Sequence, residues 1–233
     1  MLKNIYNKIL LLFFPLIIIN KILSNVLTVK FGNITPFRIG HLVGELSIWF
    51  LESKKKDNNK KTLEIWYVSK KVCSKFFFKK IKEKIFITNN FFIKIMYDLC
   101  KKYQKKEFLI KGPTHGERDI ECLISQNNKI VEFTPDEIYL GNEMLKEIGI
   151  KENQEIVCLC VRDKFYLNNI MPKINWSYLD YKDSDINSYN KSVKFLNDRN
   201  ISVIRMGAGA EKKWEFNSNV NYDYANSKHR SSF

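Results

Sequence analysis

Glu155-Ile156-Val157-Cys158-Leu159-Cys160-Val161-Arg162-Asp163 and Ile201-Ser202-Val203-Ile204-Arg205-Met206-Gly207 are two short apolar runs, rich in β-branched residues, each carrying an arginine near its end. Between them Ile186, Tyr189, Val193 and Leu196 recur at helical spacing, with Phe195 beside them. The order strand, loop, helix, strand predicts a parallel βαβ unit. Ligands of such sheets bind beyond the carboxyl ends of the strands, where Arg162, Asp163 and Arg205 are expected. Arginine can grip a diphosphate with two donors, and the Gly207-Ala208-Gly209 run would admit a phosphate close to the backbone. The competing reading is internal: Arg162 with Asp163, or Arg205 with another aspartate, fixes loops and nothing more.

Working back from this unit, Thr134-Pro135-Asp136-Glu137 is a helix start, with Thr134 as cap, Pro135 in the first turn and two acids at the positive end. The helix runs over about 135–148 and ends at Gly149. Further upstream, Thr62-Leu63-Glu64-Ile65-Trp66-Tyr67-Val68 and Lys84-Ile85-Phe86-Ile87-Thr88 read as strands, with helices over 71–82 and 91–103. Leu42, Leu46 and Trp49 share a helical face. This alternation predicts a second α/β half, joined to the first near residue 150.

Arg38-Ile39-Gly40-His41-Leu42 falls at a loop-to-helix junction, where backbone N–H groups and the helix dipole favour anions. Gly40 allows close approach there, and Gly44 would let the helix pack tightly on a sheet. His41 is a candidate general base, with Glu45 one turn later to orient it. The alternative is that His41 caps the helix. No P-loop, dinucleotide fingerprint, serine-hydrolase elbow or metal cluster is present in the sequence.

The formal charge is +14 and is unevenly spread. Residues 1–110 carry 22 Lys and Arg against 7 Asp and Glu, whereas residues 111–233 are close to neutral. The excess is lysine, so an anionic membrane surface is one reading and lysine as the ordinary surface residue is the other. Arginine, which reads bases, is scarce and no nucleic-acid fingerprint occurs, so nucleic acid is not an expected partner. Cys73, Cys100, Cys122, Cys158 and Cys160 have no zinc spacing and read as reduced cytosolic thiols.

At the N-terminus, Lys3 and Lys8 precede eleven residues without a charged side chain, 9–19. A helix of that length covers about 16 Å of a hydrocarbon core of about 30 Å. Extension to Val29 reaches spanning length but includes Asn20, Lys21, Ser24 and Asn25. No small-residue cleavage site follows, so an uncleaved segment lying in the interface on the cytoplasmic side is expected, with packing on the protein itself as the alternative.

Taken in order, Arg38-Ile39-Gly40-His41-Leu42, Phe133-Thr134-Pro135-Asp136-Glu137, Val157-Cys158-Leu159-Cys160-Val161-Arg162-Asp163 with Tyr166-Leu167, residues 181–189, and Val203-Ile204-Arg205-Met206-Gly207 resemble a family of bacterial glycosyltransferases from surface-polysaccharide gene clusters. The resemblance covers roughly residues 30–226 and implies two facing Rossmann-like lobes of the glycosyltransferase-B type. It implies transfer from a nucleotide-sugar donor to a glycan or lipid-linked acceptor, with no metal cofactor. It places His41 at the glycine-loop position facing the cleft, and Arg162 and Arg205 at the edge of the donor lobe. Lys182 stands where the family carries arginine, and the family's further strands and donor loop have no counterpart before Phe233. The expected organisation is therefore a membrane-associating segment over 1–29, an α/β lobe over 30–150 and an incomplete nucleotide-sugar lobe over 151–233. On these grounds the alternative function is a non-catalytic membrane-surface or scaffold remnant of such an enzyme.

Overall fold

The computed structural model describes residues 2–55, 61–69, 71–116, 118–126, 130–216 and 220–231. Lys56, Lys60 and Lys70, part of the lysine excess, lie outside them. The chain is mixed α/β with two three-stranded parallel sheets. It divides into two compact units, the first ending at Glu132 and the second beginning at Phe133.

In the first unit β1 (Thr28–Ile34), β2 (Thr62–Val68) and β3 (Ile87–Thr88) pair in parallel in that order. Phe31 also bridges Leu109 in parallel, and the Ile110 N–H donates to the Phe31 carbonyl at 3.0 Å. The chain thus adds strands outward from β1 to β3, then returns to the opposite edge of β1. Such a reversal wraps helices on both faces of a sheet, and the core obeys it. One face packs Ile34, Trp66, Val68 and Ile87 against Leu42, Leu46, Trp49 and Ile81, from the segment after β1 and from α4 (Lys75–Lys82). On the other face Phe31 and Ile65 meet Ile95, Met96, Leu99 and Cys100 of α5 (Phe91–Lys102). Alternate strand residues supply the two faces, as a pleat requires. Ser74 caps α4 by accepting from the Phe77 N–H at 3.2 Å, and Asn90 caps α5 by accepting from Phe92 at 2.9 Å.

The N-terminal segment belongs to this second face. Ile5–Leu23 is long and apolar enough to cross a membrane by length and composition. Here it forms α1 (Leu2–Leu12) and α2 (Phe14–Leu23), interrupted at Phe13, with Pro15 in the first turn of α2 where its missing N–H costs least. Leu10 and Ile17 are buried with Phe31, Ile65 and Leu99. The Tyr6 hydroxyl donates to Asp98 at 2.6 Å, and the Asn20 side chain both donates to and accepts from the Val29 backbone.

In the second unit α6 (Pro135–Glu147) starts on a full capping box. Thr134 Oγ1 accepts from the Glu137 N–H, while the Glu137 carboxylate accepts from the Thr134 N–H at 2.8 Å. Gly149 takes a left-handed conformation (φ 87°), and the Ile150 N–H reaches the Leu145 carbonyl at 2.9 Å. This left-handed turn closes the helix, and α6 falls in the second unit. β4 (Ile156–Cys160), β5 (Ser202–Met206) and β6 (Asn221–Asp223) are parallel in sequence order. Between β4 and β5 lie α7 (Phe165–Ile170) and α8 (Asn190–Asn197), the latter entered through a tight turn at Ile186–Tyr189. β5 is central and buried; β4 is an edge whose Cys158 and Cys160 are exposed.

Candidate functional site

The reversal in the first sheet opens a crevice between the end of β1 and the returning segment. A cavity of about 180 Å³ lies there, lined among others by Asn33 and Thr35 on one side and Ile110, Gly112 and Pro113 on the other. Its remaining wall comes from the turn after β1. Residues Gly40–Glu45 form a single π-helical turn running into α3 (Leu46–Lys55), a widened geometry frequent at functional positions. Within it His41 Nδ1 lies 2.5 Å from Glu45 Oε1, and both side chains line the cavity. No side chain caps the start of this turn, so His41 acts here as the partner of Glu45.

The other walls are aromatic. Trp49 and Trp66 meet edge to face with centroids 5.0 Å apart, and Tyr97 of α5 joins them. Trp66 lies flat across Gly32, its partner on β1: a Cβ at Gly32 would sit 2.4 Å from the Trp66 ring. The Trp66 indole N–H is buried and has no hydrogen-bond partner among the described residues. A buried donor left unmet costs about 1–3 kcal/mol, which a ligand acceptor would recover.

One expectation for this region is corrected: a Cβ at Gly44 would meet nothing within 4 Å, so packing on the sheet does not require a glycine there. A Cβ at Gly40 would likewise meet nothing, which leaves its backbone open. Arg38 is half-buried one turn before His41, but neither Arg38 nor Gly40 lines the cavity.

At the carboxyl ends of β4 and β5 the second unit has its own cavity, about 280 Å³. Asp163, Asp183, Asp185 and Glu211 line it together with Lys164, Arg205 and Lys212. The cations are already engaged. Lys164 pairs with Asp180 at 2.8 Å, a contact that raises its pKa, and Lys212 pairs with Asp185 at 3.0 Å. The Asn187 backbone N–H, then Lys212, hold the Asp185 carboxyl below its ordinary range.

Arg205 is 2% exposed, its Nη1 donating to the Lys212 carbonyl at 2.6 Å. Asp163 and Asp223 flank it at 3.8 and 3.6 Å. Its buried Nε has no hydrogen-bond partner among the described residues. Asp163 also accepts from the Phe165 and Glu211 backbone N–H groups. Arg162 lies off the cavity with Nε 3.4 Å from Asp183.

The glycine run is likewise occupied from within. A Cβ at Gly209 would collide with Phe165 at 2.2 Å, and one at Gly207 would stand 3.2 Å from the Ala225 Cβ, so the close approach serves the chain's own packing. Among the described residues no three His, Cys, Asp or Glu side chains are grouped to hold a metal ion.

Sequence reasoning found His41 and Glu45 through their four-residue spacing but missed Asn33, Trp66 and Tyr97, which only the strand pairing assembles. Compared with protein-family models, curated proteins and solved structures, the chain matches none.

Proposed function

We propose that the chain is a glycosyltransferase that moves a sugar from a nucleotide-sugar donor to a hydroxyl of a glycan or lipid-linked acceptor, and that the first unit binds the acceptor. The observation that carries this reading is the His41–Glu45 pair on the crevice at the strand reversal. With Nδ1–H donated to Glu45, His41 Nε2 takes the proton of the acceptor hydroxyl as its oxygen bonds the anomeric carbon. The bond from that carbon to the donor phosphate oxygen breaks, and its electron pair leaves on the nucleoside diphosphate. Trp49, Trp66 and Tyr97 supply apolar walls for a sugar ring, and the Trp66 N–H a donor for one of its oxygens. The scheme uses no metal ion.

The test is thermal stabilisation of the purified protein by a panel of nucleoside diphosphates and nucleotide sugars, followed by transfer assays on the stabilising donor. A donor at a hundred times its dissociation constant contributes about 2.7 kcal/mol. The absence of any shift sinks the donor reading. A non-catalytic scaffold is the second reading, favoured by one observation: the cations lining the second unit's cavity are held by carboxylates of the same chain.

A further inference from the structure

The helices α1 and α2 carry two apolar stripes. The inner one, through Leu10 and Ile17, closes the sheet. The outer one runs through Leu11, Leu12, Ile18, Ile19 and Ile22 and continues to Val26. Its members are exposed, Leu12 by 78%, Ile22 by 71% and Val26 by 74%. Phe91 extends the patch from α5, beside Phe92, which meets Phe13 at 5.6 Å. A continuous apolar face of this kind marks an interaction site.

Charge identifies its occupant. The first acidic residue of the chain is Glu45, whereas Lys3, Lys8, Lys21, Lys30 and Arg38 precede it. Lys8 stands one turn before Leu11 and Leu12, and Lys21 lies between Ile18 and Ile22, so exposed lysines flank the stripe at its start and along its second half. A second copy docked on this face by a two-fold axis would bring lysine onto lysine; an anionic lipid surface complements both the stripe and its rim.

The pinning of both ends decides the orientation. Tyr6 is held by Asp98 and Asn20 by Val29, on either side of the buried Leu10 and Ile17. Crossing a bilayer would strip this layer from Phe31, Ile65 and Leu99. We infer that the outer stripe of α1–α2 is a membrane-docking face. It seats the first unit on an anionic bilayer with both helices in the plane of the surface, and neither crosses it. This is independent of the catalytic proposal, and its test reads no transfer.

The experiment is flotation of the full chain with vesicles of phosphatidylcholine and phosphatidylglycerol, then extraction with alkaline carbonate. The protein floats, and carbonate releases it. Leu12→Glu with Ile22→Glu lowers the bound fraction roughly tenfold or more, while the far-ultraviolet melting curve stays in place because neither side chain is part of the core. Lys8→Gln with Lys21→Gln weakens flotation mainly at low salt. Retention through carbonate extraction overturns the in-plane orientation. Failure to float overturns docking, and so does a stable dimer in solution that Leu12→Glu dissociates.

Discussion

The two units each place a cavity at the carboxyl ends of a three-stranded parallel sheet, yet the cavities differ in what they leave unspent. In the first unit the walls are aromatic, one imidazole–carboxylate pair is present, and a buried indole N–H awaits an acceptor. In the second, four carboxylates and three cations line the space, and the cations are engaged with carboxylates or backbone. The cause is topological. The first sheet reverses direction at β1 and so opens a crevice, whereas β4, β5 and β6 succeed one another without reversal. The first cavity thus keeps an unmet donor beside its His–Glu pair, whereas Arg205 in the second is held by partners of its own chain.

The most severe way to break this comparison is His41→Gln. Loss of a general base should lower kcat by about 10²–10⁴-fold, leave KM for the acceptor near its original value, and leave the melting temperature unchanged. An unaltered rate would remove His41 from the chemistry.

Next in size is Arg205→Met, which leaves Asp163 and Asp223 facing each other without their cation. Breaking a buried pair in this way costs about 3–5 kcal/mol, measured by urea unfolding of the second unit. A variant as stable as the parent would mean that Arg205 is free for a ligand after all.

Gly32→Ala should cost about 1–3 kcal/mol by displacing the Trp66 ring, with quenching of tryptophan fluorescence altered in the first unit only. The smallest effects concern titration. Burial pushes the Cys100 thiol up to about 12, so a thiol reagent at neutral pH should modify the exposed Cys158 and Cys160 and spare Cys100 until the protein unfolds. Asp185, with its folded pKa below the ordinary value, contributes stability that is present above about pH 4 and lost as pH falls through the lowered value. Lys212→Met should flatten that acid limb slightly.

Much of this architecture was legible in the sequence because the signals are local. The capping box at Thr134, the period of Ile95, Met96, Leu99 and Cys100, and the apolar strands β2, β4 and β5 need no distant partner to be recognised. β1 was not, since Lys30, Gly32 and Asn33 interrupt its pattern and Val29 merges with the apolar segment before it. β6 has no apolar alternation at all; it exists because Asn221 and Asp223 bond to β5 and to the Trp214 backbone N–H. The site divides the same way. His41 and Glu45 are four residues apart and could be paired on paper, whereas the burial of Arg205 depends on Asp223 arriving from β6. The unmet donor of Trp66 depends on Gly32 from another strand.

The layer formed by α1 and α2 bears on how the chain is made. α2 ends at Leu23, and α5, which shares its side of the sheet, begins only at Phe91. At about 5–20 residues per second, both apolar stripes are therefore synthesised seconds before α5 exists to complete the cover of the inner one. A lipid surface, or a holding chaperone, would shelter the nascent segment over that interval. A version of the protein begun after residue 27 would face the opposite hazard, folding its sheet with the Leu10 and Ile17 side of the Phe31, Ile65 and Leu99 cluster uncovered and prone to aggregation.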